Sequence, residues 1–158
     1  MRTIKFKGKS LMNGQWVLGD LAHSLDGKLN ILGFVEEEGK IGFTGAHQID
    51  PTTVCQFTGF LDKNGKEIYE GDVLRTDLPL FGIQNRLGSF SDLRYVVVVF
   101  DSYFASFHLE VYSNRQYKID YCFEGMPYGF TKLNSKDYEV VGSVHDKVWQ
   151  EKLNLKVL

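Results

Sequence analysis

The sequence predicts an all-β, or mostly β, protein with a short helix at its C-terminal end. Three observations carry that expectation. Apolar and polar residues alternate along most of the chain, the pattern of strands with one buried face. Aromatic residues reach 14%, from 12 Phe, 8 Tyr and 2 Trp, and such rings pack well on a pleated surface. Sixteen Gly against three Pro suit a chain of tight turns. The expected architecture is a small antiparallel barrel, or an SH3-like or more complex β fold, in one domain spanning residues 1–158.

The elements follow in order. In "TIKFKG" Ile4 and Phe6 share one face, and Lys5 and Lys7 the other. "GQWVLGD" and "KLNILGFVE" are further strands bounded by Gly, Asn or Asp. "EEEGKIGFTG" turns through Gly39 into another strand, with Glu36 to Glu38 a solvated turn. "HQIDPTT" reads as a loop, because Pro51 forces Asp50 to be extended. Val54, Gln56 and Thr58 alternate with Cys55, Phe57 and Gly59 in a strand that ends at Gly59.

Asn64-Gly65 is the dipeptide of a two-residue type I′ hairpin turn. Gly71-Asp72 makes a second turn, where Asp72 is placed to accept backbone N–H bonds. Residues 77–93 have no clear period yet hold Leu78, Leu80, Phe81, Ile83, Leu87 and Phe90. They are expected to form a long loop or insertion that folds back over the body or meets a partner. "RYVVVVFDS" has the uninterrupted apolar run of a strand buried on both faces. "YFASFHLEVYS" places Phe104, Ser106, His108 and Glu110 on one face. "DYEVVGSV" is a last strand, and "HDKVWQEKLNL" a short helix with Val148, Trp149 and Leu153 on a common side.

Several function classes find no support. No G-x-x-x-x-G-K-[ST] loop occurs, and no G-x-G-x-x-G opens a helix after a strand. "DKNGKEIYEGD" departs from an EF-hand loop, since Gly65 is fourth where sixth is required. Asp62, Glu67, Glu70 and Asp72 are therefore expected as turn and surface groups. His23, His47, His108 and His145 stand far apart, and neither cysteine has a C-x-x-C partner, so metal-ligand spacing is missing. No G-x-S-x-G occurs, and Cys55 lies in a strand that buries one face, where a thiol is inert packing. No catalytic residue, cofactor or metal ligand is assigned. A cryptic enzyme using Asp62, Glu70 and Asp72 is the least supported reading.

The net charge of -2 gives no bulk attraction to nucleic acid or anionic lipid. No apolar run approaches membrane-spanning length, the first residues lack an apolar signal core, and two cysteines make no disulfide framework. A cytoplasmic protein without membrane contact is the expectation. Binding remains, in two forms. One is self-association or protein binding through the apolar residues in 77–93 and 112–130. The other is nucleic-acid contact through Phe104, Phe107, Tyr112, Arg115, Tyr117 and Lys118, where rings interleave with cations, set against the plain alternative that these rings are core.

"TGFLDKNGKEIYEGDVL" closely resembles the signature of the YopX family, whose members read T-G-[LF]-x-D-K-N-G-K-E-I-Y-E-G-D-[IV]. Gly59, Asp62, Asn64, Gly65, Ile68, Tyr69, Glu70, Gly71 and Asp72 all fall in that block. "IKFKGKSLMNGQWVLGDL" is similar to the family's opening strand pair, and "YEVVGSVHDKVWQEKL" to its closing strand and helix. The resemblance implies a β-rich fold, a phage or prophage origin, and the cytoplasm of a bacterial host. It brings no established activity and no catalytic residue set. The block residues are expected to be structural: a hairpin at Asn64-Gly65, a strand start at Gly71-Asp72, and Ile68 and Val73 in the core.

Overall fold

A computed structural model describes residues 3–37, 40–76, 95–103, 105–112, 118–120, 122–123, 126–127 and 135–153. The expectation for residues 77–93 lies outside these residues. The chain clusters into two compact units, Met1–Gly59 and Phe60–Leu158.

The first unit holds β1 (Phe6–Lys9), β2 (Trp16–His23), β3 (Leu29–Glu37), β4 (Lys40–Gln48) and most of β5 (Cys55–Leu61). Hydrogen bonding places them in the order β4-β3-β2-β1-β5, all antiparallel. The sheet curls back on itself. An isolated bridge pairs Ser10 with Ile49, flanked by Leu11 N–H donating to Gln48 O and Asp50 N–H to Lys9 O. The inner face buries Ile31 and Ile49, and Gly8 lies so close to Ile49 that a Cβ there would meet its Cδ1 at 2.8 Å. Ile4, expected beside Phe6, precedes β1 and is 60% exposed. Between β4 and β5, Asp50 is extended as its proline requires, and its carboxylate caps a 3-10 turn at Pro51–Thr53 by accepting from Thr52 N–H.

The second unit continues from the end of β5 into β6 (Glu67–Tyr69), β7 (Asp72–Thr76), β8 (Tyr95–Asp101), β9 (Ser106–Tyr112), β10 (Lys118–Asp120), β11 (Cys122–Phe123), β12 (Met126–Pro127), β13 (Tyr138–Ser143) and the helix α1 (Lys147–Lys152). β6 hydrogen-bonds to β5, five strands form a sheet in the order β10-β9-β8-β7-β13, and β11 pairs with β12. β7 and the first half of β8 are buried on both faces, which is why "VVVV" runs without a polar break. Leu74, Val96, Val98, Phe107, Tyr138 and Val140 pack on one side with Ile68. Val73, Val97 and Leu153 pack on the other, with Trp149 against them.

α1 is held by its aromatic residue. The Trp149 indole lies on Gly142, where a Cβ would fall 1.8 Å from Nε1, so only glycine fits. Tyr95 meets Trp149 edge-on at 5.1 Å. Trp149 and Leu153 are one helical turn apart and face inward. Val148 does not join them and is 70% exposed, because one residue along a helix rotates the side chain by about 100°. The mostly β class with a short terminal helix is as the sequence predicts, and its strands form two antiparallel sheets.

Candidate functional site

The block from Gly59 to Thr76 supplies two turns and two strands of the second unit. β5 runs two residues past Gly59, which takes φ +91 within the strand rather than ending it. The following turn differs from the expected two-residue type I′. Gly65 N–H donates to Asp62 O at 3.1 Å and Asp62 N–H to Lys66 O at 2.7 Å, closing a three-residue loop. Gly65 has φ +82, while Asn64 is not among the residues of positive φ. That is a type I turn followed by a left-handed glycine, the usual three-residue hairpin.

Asp62 explains the choice. Its Oδ1 accepts from Asn64 N–H at 2.8 Å and Lys66 N–H at 2.9 Å, stabilising the wider loop from inside. Its Oδ2 accepts from Val140 N–H at 2.9 Å, 78 residues away on β13. Lys63 N–H donates to Tyr138 O, and Lys136 Nζ to Asp62 O. The hairpin is thus tied to β13, and Asp62 is 1% exposed. Around it, Glu139 forms ion pairs with Lys63 (3.1 Å) and Arg75 (2.6 Å). Those two cations, Lys63 first, hold its carboxyl below the usual range.

The second turn is built on the same principle. Asp72 Oδ2 accepts from Tyr69 N–H at 2.8 Å across Glu70-Gly71, as expected, with Gly71 at φ +73. Gly71 N–H donates to Val98 O, and Val144 N–H to Gly71 O, so this turn also joins β8 to the residue that follows β13. Tyr69 is buried and its hydroxyl donates to Glu67 Oε2 at 2.7 Å. Burial, reinforced by that carboxylate, pushes the phenol far above its ordinary range.

The surface role expected for Asp62 and Asp72 is corrected: both are 1% exposed. They are buried because backbone N–H groups of docked turns need acceptors, and a carboxylate supplies several at once. Glu67 and Glu70 are half-buried. Ile68 and Val73 are fully buried, as expected.

Of the residues proposed for nucleic-acid contact, Phe104, Arg115 and Tyr117 lie outside the described residues. Tyr112 and Lys118 are opposite each other on β9 and β10. Phe107 is in the core at 7% exposure, and so is unavailable to stack a base. It packs with Leu74, Val96 and Val98, and the core role is the one it takes; His108, on the opposite face of β9, is buried too. Cys55 is buried, its Sγ donating to Thr53 O. Among the described residues no three His, Cys, Asp or Glu side chains group as metal ligands. Among them, too, no helix is long and apolar enough to cross a membrane.

Sequence patterning missed one cluster in the first unit. On one face of β1 and β2, Lys7 Nζ lies 4.7 Å and Lys9 Nζ 5.2 Å from the Trp16 ring centre, and Lys5 Nζ 5.0 Å from that of the buried Phe57. Register explains it, since Lys9 faces Trp16 and Lys7 faces Leu18. The alternation of Lys5 and Lys7 was legible, but the strand register that brings Trp16 beneath Lys7 and Lys9 was not.

Comparison with known proteins follows the block. A family model, YopX protein, matches residues 5–148. No curated protein matches the chain. Among solved structures the chain is similar to protein EF1440 from Enterococcus faecalis, at 18% identity and a TM-score of 0.45, covering 92% of this chain and 95% of that one.

Proposed function

The chain belongs to the YopX family, and on that premise we propose that it is a non-enzymatic binding module, acting by contact with another protein or with copies of itself. One observation carries this reading. The two most buried acids of the family block are committed to the fold: Asp62 receives three backbone N–H groups and Asp72 ties a turn. A catalytic carboxylate keeps an oxygen for its substrate, and these two aspartates serve the backbone instead. The setting that goes with the reading is the cytoplasm of a bacterial host carrying the gene on a phage or prophage.

Nucleic-acid binding is the competing reading, and the burial of Phe107 removes one of its stacking rings. Light scattering on the full chain over a concentration series, repeated with mixed-sequence DNA at low salt, separates the two. A discrete oligomer indifferent to DNA supports the module. A monomer that gains mass with DNA, in a salt-sensitive way, overturns it.

A further inference from the structure

We propose that the outer edge of β4 pairs antiparallel with β4 of a second copy of this chain, continuing one sheet across two molecules. The inference rests on the binding-module reading and names the partner as the chain itself.

The backbone decides which residues face outward. Ile49 N–H donates to Leu29 O, so alternation turns the backbone groups of Gln48 and Ala46 away from β3. Leu11 N–H on Gln48 O agrees with this, and there the β1–β2 turn covers one end of the edge. The register shifts by one residue between Gly33 and Phe34, after which Phe34 faces Phe43 and Val35 faces Gly42. Beyond that bulge Phe43 and Ile41 therefore present their N–H and C=O groups outward. β4 ends its sheet, and among the described residues no strand pairs with it on this side. Gly42, Phe43, Thr44 and Ala46 are exposed. Phe43 has a contact within its own chain, yet at 62% exposure most of it stays open to a second molecule.

The edge also lacks the usual guards. Exposed edges are blunted by charged side chains and proline, and Ile41 to Gln48 hold no Asp, Glu, Lys, Arg or Pro. The other edges differ: β10 carries Lys118 and Asp120, and β13 gives its Val140 N–H to Asp62.

Self-complementarity selects the occupant. With a two-fold axis at Gly42, Ile41 of one copy falls opposite Phe43 of the other, and these are the residues whose backbone groups point outward. Lys40 falls opposite Thr44 rather than its own copy, so no like charges meet. Identical strands paired antiparallel give a closed interface that stops at two chains.

Sedimentation velocity on the full chain over a concentration series tests this, with oxidative cross-linking as a second readout. A concentration-dependent dimer is expected, since so short a pairing makes a reversible interface. Phe43→Lys sets like charges about the axis, and Phe43→Pro removes an outward N–H while sparing the bonds to β3. Each should weaken the dimer about tenfold or more. Cys55 is buried, so cross-linking uses a chain carrying Cys122→Ser. There Gly42→Cys should form a disulfide dimer, its Cα lying about 4.5 Å from its copy, and Ala46→Cys should not. A dimer indifferent to both Phe43 variants, or cross-linked equally through Ala46→Cys, overturns this edge while the module reading stands. A chain monomeric at every concentration overturns the inference too. If that monomer gains mass with mixed-sequence DNA at low salt, both fall.

Discussion

The turns at Ser24–Lys28 and Asp62–Lys66 share one backbone design. In each the first residue's carbonyl accepts from the glycine N–H, and its N–H donates to the lysine carbonyl. The fourth residue is a left-handed glycine in both, Gly27 at φ +80 and Gly65 at φ +82. Each has an aspartate inside it, yet the two carboxylates lead different lives. Asp26 is on the surface, bonded to Ser24 Oγ at 2.5 Å and paired with Lys28 Nζ at 2.6 Å. Asp62 is buried and reaches a strand 78 residues away. Local turn chemistry decides the loop, and tertiary contact decides whether the loop matters to the rest of the molecule.

The largest effect should come from removing the buried carboxylate. Asp62→Ala leaves the N–H groups of Asn64, Lys66 and Val140 without their acceptor; that of Val140 is buried, and a buried unsatisfied donor costs about 1–3 kcal/mol, whereas Asn64 and Lys66 are exposed and can turn to water. With the loosened hairpin added, a loss of about 2–4 kcal/mol is expected in denaturant unfolding. Asp26→Ala should leave the unfolding midpoint where it was. Comparable losses from the two variants would show that Asp62 does not anchor the hairpin.

Next come the glycines, where the two turns should converge. No atom lies within 4 Å of a Cβ built at Gly27 or Gly65, so the cost of a side chain is backbone strain alone. Gly65→Val and Gly27→Val should each lose at least about 1–2 kcal/mol, a β-branched residue at positive φ being strained, and the two losses should be similar. A much larger loss at Gly65 would mean that the docked hairpin amplifies local strain.

A third turn extends the comparison in the opposite direction. Asp101 and Ser106 pair across the β8–β9 connection, and Ala105 before Ser106 has φ +51, the sole non-glycine residue of positive φ among those described. Ala105→Gly should raise stability by up to about 1 kcal/mol, the left-handed penalty offset by glycine's larger entropy in the unfolded chain. An unchanged or lower stability would show that Ala105 is held by contacts that outweigh its strain.

These contrasts mark what the sequence could and could not say. Alternation, turn dipeptides and the apolar run at Tyr95 to Phe100 were enough for the mostly β class, because each is a local signal. The turn at Asn64-Gly65 was located correctly but given the wrong length, since Asn-Gly suits a two-residue loop until a preceding Asp favours the longer one. The burial of Asp62 and Asp72 was illegible for a different reason. Their partners, Val140 for one and the Tyr69–Asp72 turn docked on Val98 and Val144 for the other, are fixed by strand pairing distant in sequence. The Lys–Trp face needed the β1–β2 register in the same way.

The smallest predicted effect is the titration of Asp26. Hydrogen bonds from Lys28 and then Ser24 pull its carboxyl from 3.8 down to about 2. A carboxyl lowered in the folded state stabilises above its unfolded value, and that contribution fades as pH falls from 3.8 to about 2. The carboxyl carbon resonance of Asp26 should therefore titrate near 2, with the Gly27 amide moving alongside as the turn loosens. Added salt should raise the midpoint, because the pair with Lys28 is solvent-exposed and screened. Global stability should hardly respond, since no distant strand hangs on this turn's carboxylate. A midpoint at the ordinary value of 3.8 would mean that the Lys28 contact does not persist in solution, and would leave the glycine and the backbone bonds as the whole of what the two turns share.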